Sequence, residues 1–230
     1  MKLVLFDIDG TLLDSDGAGR RAISRALVEA FGTSGPGAHG FDGKTDPQIV
    51  SELMALAGVA PDLVAARMDG VFARYVECLR EEIVQPGHAA RVYPGVPELL
   101  DALEATDDVV LGLLTGNVKP GAEVKLGAVG LAPARFRVGA FGSDHAVRAE
   151  LPAIAQARAG ALLAHGVPGR DMVVIGDTPA DVTCGRGVGA RAIGVATGRY
   201  SAADLGAHAP AAVFPDFRDT AAVVRAICSA

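Results

Sequence analysis

Short, nearly unbroken apolar runs alternate along most of this chain with stretches of helical periodicity. Leu3-Val4-Leu5-Phe6, residues 109–114 and residues 172–175 are three such runs, and polar residues follow each at once. Runs of this length predict strands buried on both faces, as in a parallel sheet covered by helices. Shorter runs at 137–141, 190–196 and 212–214 predict further strands. Between them, helical spacing is carried by Val96, Leu99, Leu100 and Leu103, and helices are expected over about 120–129, 151–165 and 218–228.

Residues 18–91 break this rhythm. Ala22, Ile23, Ala26, Leu27, Ala30 and Phe31 repeat at helical spacing, and residues 32–43 interrupt the pattern. Ile49, Val50, Leu53, Met54 and Leu56 predict a second helix, and the apolar positions from Leu63 to Leu79 a third. No strand signal appears in this region. The expectation is an α/β protein: a Rossmann-like parallel sheet core from residues 1–16 and 92–230, with an all-helical unit inserted at 17–91.

Composition narrows the function without naming it. A chain of 230 residues is long enough to bury a substantial core. Its formal net charge of −6 argues against an extended nucleic-acid surface, although a local basic pocket for a small anion is compatible with it. The three cysteines, Cys78, Cys184 and Cys228, are too few and too scattered for a disulfide framework or a zinc site, so a reducing cytoplasm is the expected compartment. Asp7 and Asp9 interrupt the first apolar run too early for a signal peptide. No run is long enough to span a bilayer.

The chemistry lies at the strand ends. Asp7 and Asp9 close the first strand, Thr115-Gly116-Asn117 the second run, and Asp177 and Asp181 follow the third. Parallel strands present their carboxyl ends along one edge, so these groups are expected to meet in one crevice. Carboxylates held together on rigid strand ends repel one another and gain most from a divalent cation.

Three segments, Asp7-Ile8-Asp9-Gly10-Thr11, Thr115-Gly116-Asn117 and Gly176-Asp177-Thr178-Pro179-Ala180-Asp181, resemble in order and spacing three of the four motifs of the haloacid dehalogenase superfamily. The helical insertion resembles the cap of its phosphoglycolate phosphatase-like branch. The resemblance implies a Mg²⁺-dependent phosphatase working through an aspartyl phosphate. Asp7 would be the nucleophile and Asp9 the general acid and base, with Mg²⁺ held by Asp7, Asp177 and the backbone carbonyl of Asp9. Asp181 would hold a metal-bound water or position the basic residue of the remaining motif. Members that cleave carbon–halogen or carbon–phosphorus bonds lack an aspartate at the position of Asp9, so phosphoester chemistry is expected.

That basic residue needs separate reasoning, because no Lys-Pro pair lies in the right region. Arg148, a few tens of residues before Asp177, fits the spacing, and Lys125 competes with it. Thr115, Gly116, Asn117 and Arg148 are then the expected phosphate ligands. In Gly43-Lys44-Thr45-Asp46-Pro47, Lys44 is a candidate for an anionic substrate group, and the same stretch reads as a helix start with Asp46 as cap and Pro47 in the first turn. Arg20 and Arg21 are expected on a solvated face, and no histidine is given a role. The expected partner is a small phosphorylated metabolite, phosphoglycolate-like as a first guess, with no nucleic acid or membrane, for a monomer or homodimer. Two alternatives stay open: a β-phosphoglucomutase-type phosphotransferase, and a receiver-like module that binds when phosphorylated.

Overall fold

The computed structural model describes residues 1–229. The strands are β1 (Lys2–Phe6), β2 (Leu13–Asp14), β3 (Arg91–Val92), β4 (Val109–Thr115), β5 (Val138–Phe141), β6 (Met172–Gly176), β7 (Arg191–Val195) and β8 (Ala212–Phe214). The helices are α1 (Ala18–Phe31), α2 (Asp46–Leu56), α3 (Pro61–Ile83), α4 (Val96–Glu104), α5 (Lys119–Ala128), α6 (Leu151–Leu163), α7 (Pro179–Cys184), α8 (Ala202–Gly206) and α9 (Thr220–Ser229). Six strands form one sheet in the order β5-β4-β1-β6-β7-β8, and every pairing in it is parallel.

The two faces of the sheet explain why its strands are apolar throughout. Successive side chains point to opposite faces. Val4 and Phe6 of β1 join Leu111, Leu113, Val173 and Ile175 in a cluster covered by α4, α5 and α9. Leu3 and Leu5 join Val110, Leu114, Met172 and Val174 in a second cluster under α6. A strand buried on both sides has no polar position to spare until it ends.

The order of strands decides where those ends meet. β1 lies between β4 and β6, with Phe6 paired to Leu113 on one side and Ile175 on the other. After β5 the chain crosses to the far side of β1, and such a reversal opens a crevice at the carboxyl edge. Asp7, Thr115 and Asp177 all stand on that edge.

Helices α1, α2 and α3 pack around their own buried cluster, which includes Ile23, Leu27, Leu53, Met54, Val71 and Leu79. Val118, at the start of α5, joins that cluster from the sheet side. The strand-free expectation for residues 18–91 is corrected at its end: β3 pairs antiparallel with β2, and the Arg91–Asp14 ion pair at 2.6 Å lies across the ribbon. Both connections to the helical layer run through this ribbon. Cys78 and Cys184 are buried, Cys228 is exposed, and all three are free thiols. Among the described residues no helix is long and apolar enough to cross a membrane.

Phe6 is fully buried, meets Phe136 edge to face at 6.5 Å between ring centres, and immediately precedes Asp7. Phe6→Ala is expected to cost about 3–5 kcal/mol of stability, the range for emptying a buried aromatic site. A urea unfolding midpoint measures it, and a loss below about 1 kcal/mol would contradict the packing described.

Candidate active site

Asp7, Asp177 and Asp181 are all buried, and oxygens from the three lie within 4.8 Å of one another. Burial pushes the Asp7 carboxyl up to about 7, with Asp181 and Asp9 adding to the shift and Arg148 only partly offsetting it. Asp177 rises to about 8 for the same reasons: burial first, then the charges of Asp181 and Asp7. Glycines make the room. A Cβ on Gly10, which holds φ at +83°, would overlap the Asp177 carboxylate, and so would one on Gly198.

Asp181 is fully engaged by the protein. Its Oδ2 accepts from the Thr178 hydroxyl at 2.6 Å and the Thr178 amide at 3.1 Å, in a capping box that starts α7. Its Oδ1 accepts from the Arg148 guanidinium. Arg148 is buried as well, and the same Nη2 stands 3.1 Å from Asp7 Oδ1. Of the two basic candidates, Arg148 is therefore the one beside Asp7. Among the described residues, Asp7 and Asp177 each keep one oxygen free of side-chain donors; Asp177 Oδ1 accepts from the Thr11 hydroxyl at 3.1 Å. Three carboxylates against one guanidinium leave an excess of negative charge on hard oxygen donors. A divalent cation such as Mg²⁺ fits that donor set, with Asp7 and Asp177 supplying the uncommitted oxygens. The Asp9 carbonyl takes none of the backbone hydrogen bonds of its turn, which run to Ile8 and Leu13 instead.

The Thr115 hydroxyl is buried and accepts from the Asn117 amide at 3.3 Å and from Asn117 Nδ2 at 2.8 Å. Its acceptor sites are filled, so its own proton is left for an oxygen in the crevice. The Asn117 amide, expected among the phosphate ligands, is spent inside the loop. Gly116 has a different constraint: a Cβ there would overlap the carbonyl of Lys44, where the helical layer presses on the loop.

Asp9 points to a separate set of donors. Its Oδ1 accepts from Ser15 at 3.0 Å, and its Oδ2 accepts from Asn117 Nδ2 at 2.8 Å and Lys125 Nζ at 2.6 Å. Burial alone would raise this carboxyl, but the Lys125 charge and the three hydrogen bonds outweigh it and hold it below the usual carboxylate range.

The helical layer closes the crevice into a cavity of about 300 Å³. Arg20, Phe41, Lys44, Ile49 and Tyr75 line its far wall. Lys44 does face the cavity, but its charge is answered by Glu52 at 2.5 Å, and His39 joins both. The expected cap of α2 is corrected: Thr45 is the capping residue, its hydroxyl oxygen accepting from the Gln48 amide at 3.2 Å. Asp46, one residue on, instead accepts from the Val118 amide at 2.8 Å and pins the helical layer to the Thr115 loop. Burial pushes its carboxyl up to about 6. Arg20 is exposed, as expected, and from that position stacks on Phe41 at 3.7 Å and lines the cavity, while Arg21, exposed as well, pairs with Glu82. Nothing in residue spacing separates Arg20 from Arg21; only the turn of α1 does.

Sheet order and acidic crevice together define the class, an α/β protein with its candidate active centre at the carboxyl edge of a parallel sheet. The chain belongs to the haloacid dehalogenase-like hydrolase family, whose model matches residues 4–186. It is similar to N-acetylmuramic acid 6-phosphate phosphatase of Pseudomonas aeruginosa, 32% identical over 94% of this chain and 91% of that one. It is similar too to phosphoglycolate phosphatase of Rhodospirillum rubrum, 30% identical over 94% of this chain and 88% of that one. These two likenesses place the chain among the family's phosphoric monoester hydrolases. In fold it matches the crystal structure of a predicted phosphoglycolate phosphatase from Haemophilus somnus, with a TM-score of 0.70 and 21% identity over 97% of this chain and 98% of that one.

The crowding of carboxylates makes a prediction that separates binding from stability. In EDTA, Asp177→Asn is expected to unfold later than wild type, by at least about 1 kcal/mol, the scale of one pKa unit of repulsion. Mg²⁺ should then stabilise the wild type, by about 3 kcal/mol at a hundred-fold excess over Kd, and leave the variant almost unmoved. Thermal unfolding with and without Mg²⁺ reads both effects. Equal stabilisation of the two proteins would remove Asp177 from the metal site.

Proposed function

We propose that the chain is a Mg²⁺-dependent phosphatase that hydrolyses a small phosphorylated metabolite through an aspartyl phosphate on Asp7, with residues 17–91 acting as its cap. The observation that carries this reading is the convergence of Asp7, Asp177, Arg148 and Thr115 on one crevice. A nucleophile with a free oxygen, a fixed cation and an uncommitted hydroxyl are what a phosphoryl group needs on three sides. Mg²⁺, held by Asp7, Asp177 and the Asp9 carbonyl, would offset the charge that keeps an anionic nucleophile from an anionic ester.

In the first step an Asp7 carboxylate oxygen attacks phosphorus, and the bond from phosphorus to the leaving oxygen breaks. Asp9 has to enter this step protonated, against the downward pull of Lys125, and gives that oxygen its proton, so the product leaves as a neutral hydroxyl. In the second step Asp9, now ionised, takes a proton from water as that water attacks the aspartyl phosphate, which frees inorganic phosphate and Asp7. Arg148, the Thr115 hydroxyl and the Gly116 amide hold the remaining phosphoryl oxygens. Asp181 keeps Arg148 in place from behind.

Cavity size and charge speak to the substrate. A volume of about 300 Å³ is at the small end of ligand sites. Of the five basic residues lining the cavity, Lys44, Lys125, Arg148 and Arg199 have carboxylate partners, and Arg20 has none among the described residues. Arg20 and Lys44 are the groups we assign to the leaving portion of the substrate. Phosphoglycolate is the first compound to try, with N-acetylmuramic acid 6-phosphate beside it.

Turnover of 4-nitrophenyl phosphate is expected with Mg²⁺ and abolished by EDTA. Asp7→Asn should lose about four orders of magnitude or more, as loss of a nucleophile does. Asp9→Asn should lose about 10²- to 10⁴-fold while keeping the Mg²⁺-induced thermal shift. Activity that survives EDTA or Asp7→Asn would sink the mechanism. Free phosphate as sole phosphorus product separates hydrolysis from transfer to a sugar.

A further inference from the structure

Lys125 is a buried cation to which the steps above give no task, and its surroundings are built for it. Its side chain leaves the last turn of α5 and runs into the junction of sheet and helical layer, where the residue is only 5% exposed. The Nζ donates to Asp9 Oδ2 at 2.6 Å and to Asn117 Oδ1 at 2.6 Å. Gly19 of α1 makes space, since a Cβ there would stand 3.1 Å from Nζ and 3.6 Å from the Tyr75 hydroxyl of α3. A buried lysine is retained only where its charge is paired and its donors are used.

We propose that Lys125 is a positioning residue that sets the orientation of both Asp9 and Thr115 through the side-chain amide of Asn117; the proposal rests on the phosphatase reading. An asparagine amide has two orientations, and its neighbours choose between them. Lys125 has protons only to give, so it requires Asn117 Oδ1 to face it. Nδ2 is thereby turned the other way, where it donates to Asp9 Oδ2 and to Thr115 Oγ1, each at 2.8 Å. With its acceptor sites filled, the Thr115 hydroxyl offers its proton to the crevice. Lys125 and Ser15 hold the Asp9 carboxylate from two further directions. One ammonium group thus orders the proton-transfer residue and a phosphate donor at once, without touching Asp7, Asp177 or Asp181.

A residue acting in this way has a kinetic signature that loose packing lacks. Protonation of the leaving oxygen matters little for 4-nitrophenolate, a good leaving group, and greatly for an alkoxide. In Lys125→Met, kcat/KM is expected to fall about 100-fold for an alkyl phosphate and only a few-fold for 4-nitrophenyl phosphate, within the range general acid catalysis supplies. Gly19→Ala, which presses a methyl group on Nζ without removing any charge, should show the same bias at smaller amplitude. It also decides the matter should Lys125→Met fail to fold. A loss equal for both substrates, or no loss, in the variants that fold overturns the positioning role. A wild type that turns over neither ester overturns the phosphatase reading itself.

Discussion

Three carboxylates crowded at one strand edge, against one buried guanidinium, is the constraint on which the rest of this structure depends. Asp7 and Asp177 arrive there because β1 and β6 are neighbours in register, and Asp181 because Thr178 starts a helix at that point. Charge of one sign packed out of water is costly unless it is paired. The fold accepts that cost locally: two carboxyls rise to about 7 and about 8, and Gly10 and Gly198 are kept bare so that nothing larger intrudes. The surrounding strands are rigid and apolar, so the repulsion cannot relax by letting the aspartates drift apart. A site that cannot relax is suited to a divalent cation, and this is what links the architecture to the phosphoryl chemistry proposed for it.

The Thr115 loop carries a second constraint, because the sheet and the helical layer both use it. Thr115 and Asn117 face the crevice. On its other side Gly116 lies against the Lys44 carbonyl, and its own carbonyl accepts from the Asp46 amide at 2.7 Å. Val118 donates to Asp46 and packs in the helical cluster. Seating of the helical layer and the shape of the Thr115 loop are therefore one structural variable. The two-residue ribbon of β2 and β3 is the only covalent route between them, so these loop contacts determine how the layer sits.

Strands with continuous apolar runs were legible, since burial on both faces leaves no other composition for them. Their ends were legible with them: Asp7, Thr115 and Asp177 are where a polar residue first interrupts each run. The ribbon of β2 and β3 was not, because two residues cannot display a period. Nor was the true cap of α2, since Thr45 and Asp46 both suit that position by residue type and only the approach of Val118 separates them. Arg20 and Lys125 show the same limit. Residue type marks Lys125 only as a rival of Arg148, and Arg20 only as a surface cation, and the partners that place them are far away in the chain: Asp9 for one, Phe41 for the other.

Arg148 and Lys125 are the two cations buried in the crevice, and their side-chain chemistry says why each stands where it does. The long Arg148 side chain brings one terminal nitrogen, Nη2, between Asp7 and Asp181, where it meets both. An ammonium is compact and points its three protons separately, which suits a corner shared by one carboxylate oxygen and one amide oxygen. An arginine at the position of Lys125 would fit less well. The corner between Asp9, Asn117 and Gly19 would receive a flat group too wide for it. Asp7 and Asp9, two positions apart at one strand end, thus keep separate cations, and each can change its charge without the other losing its partner.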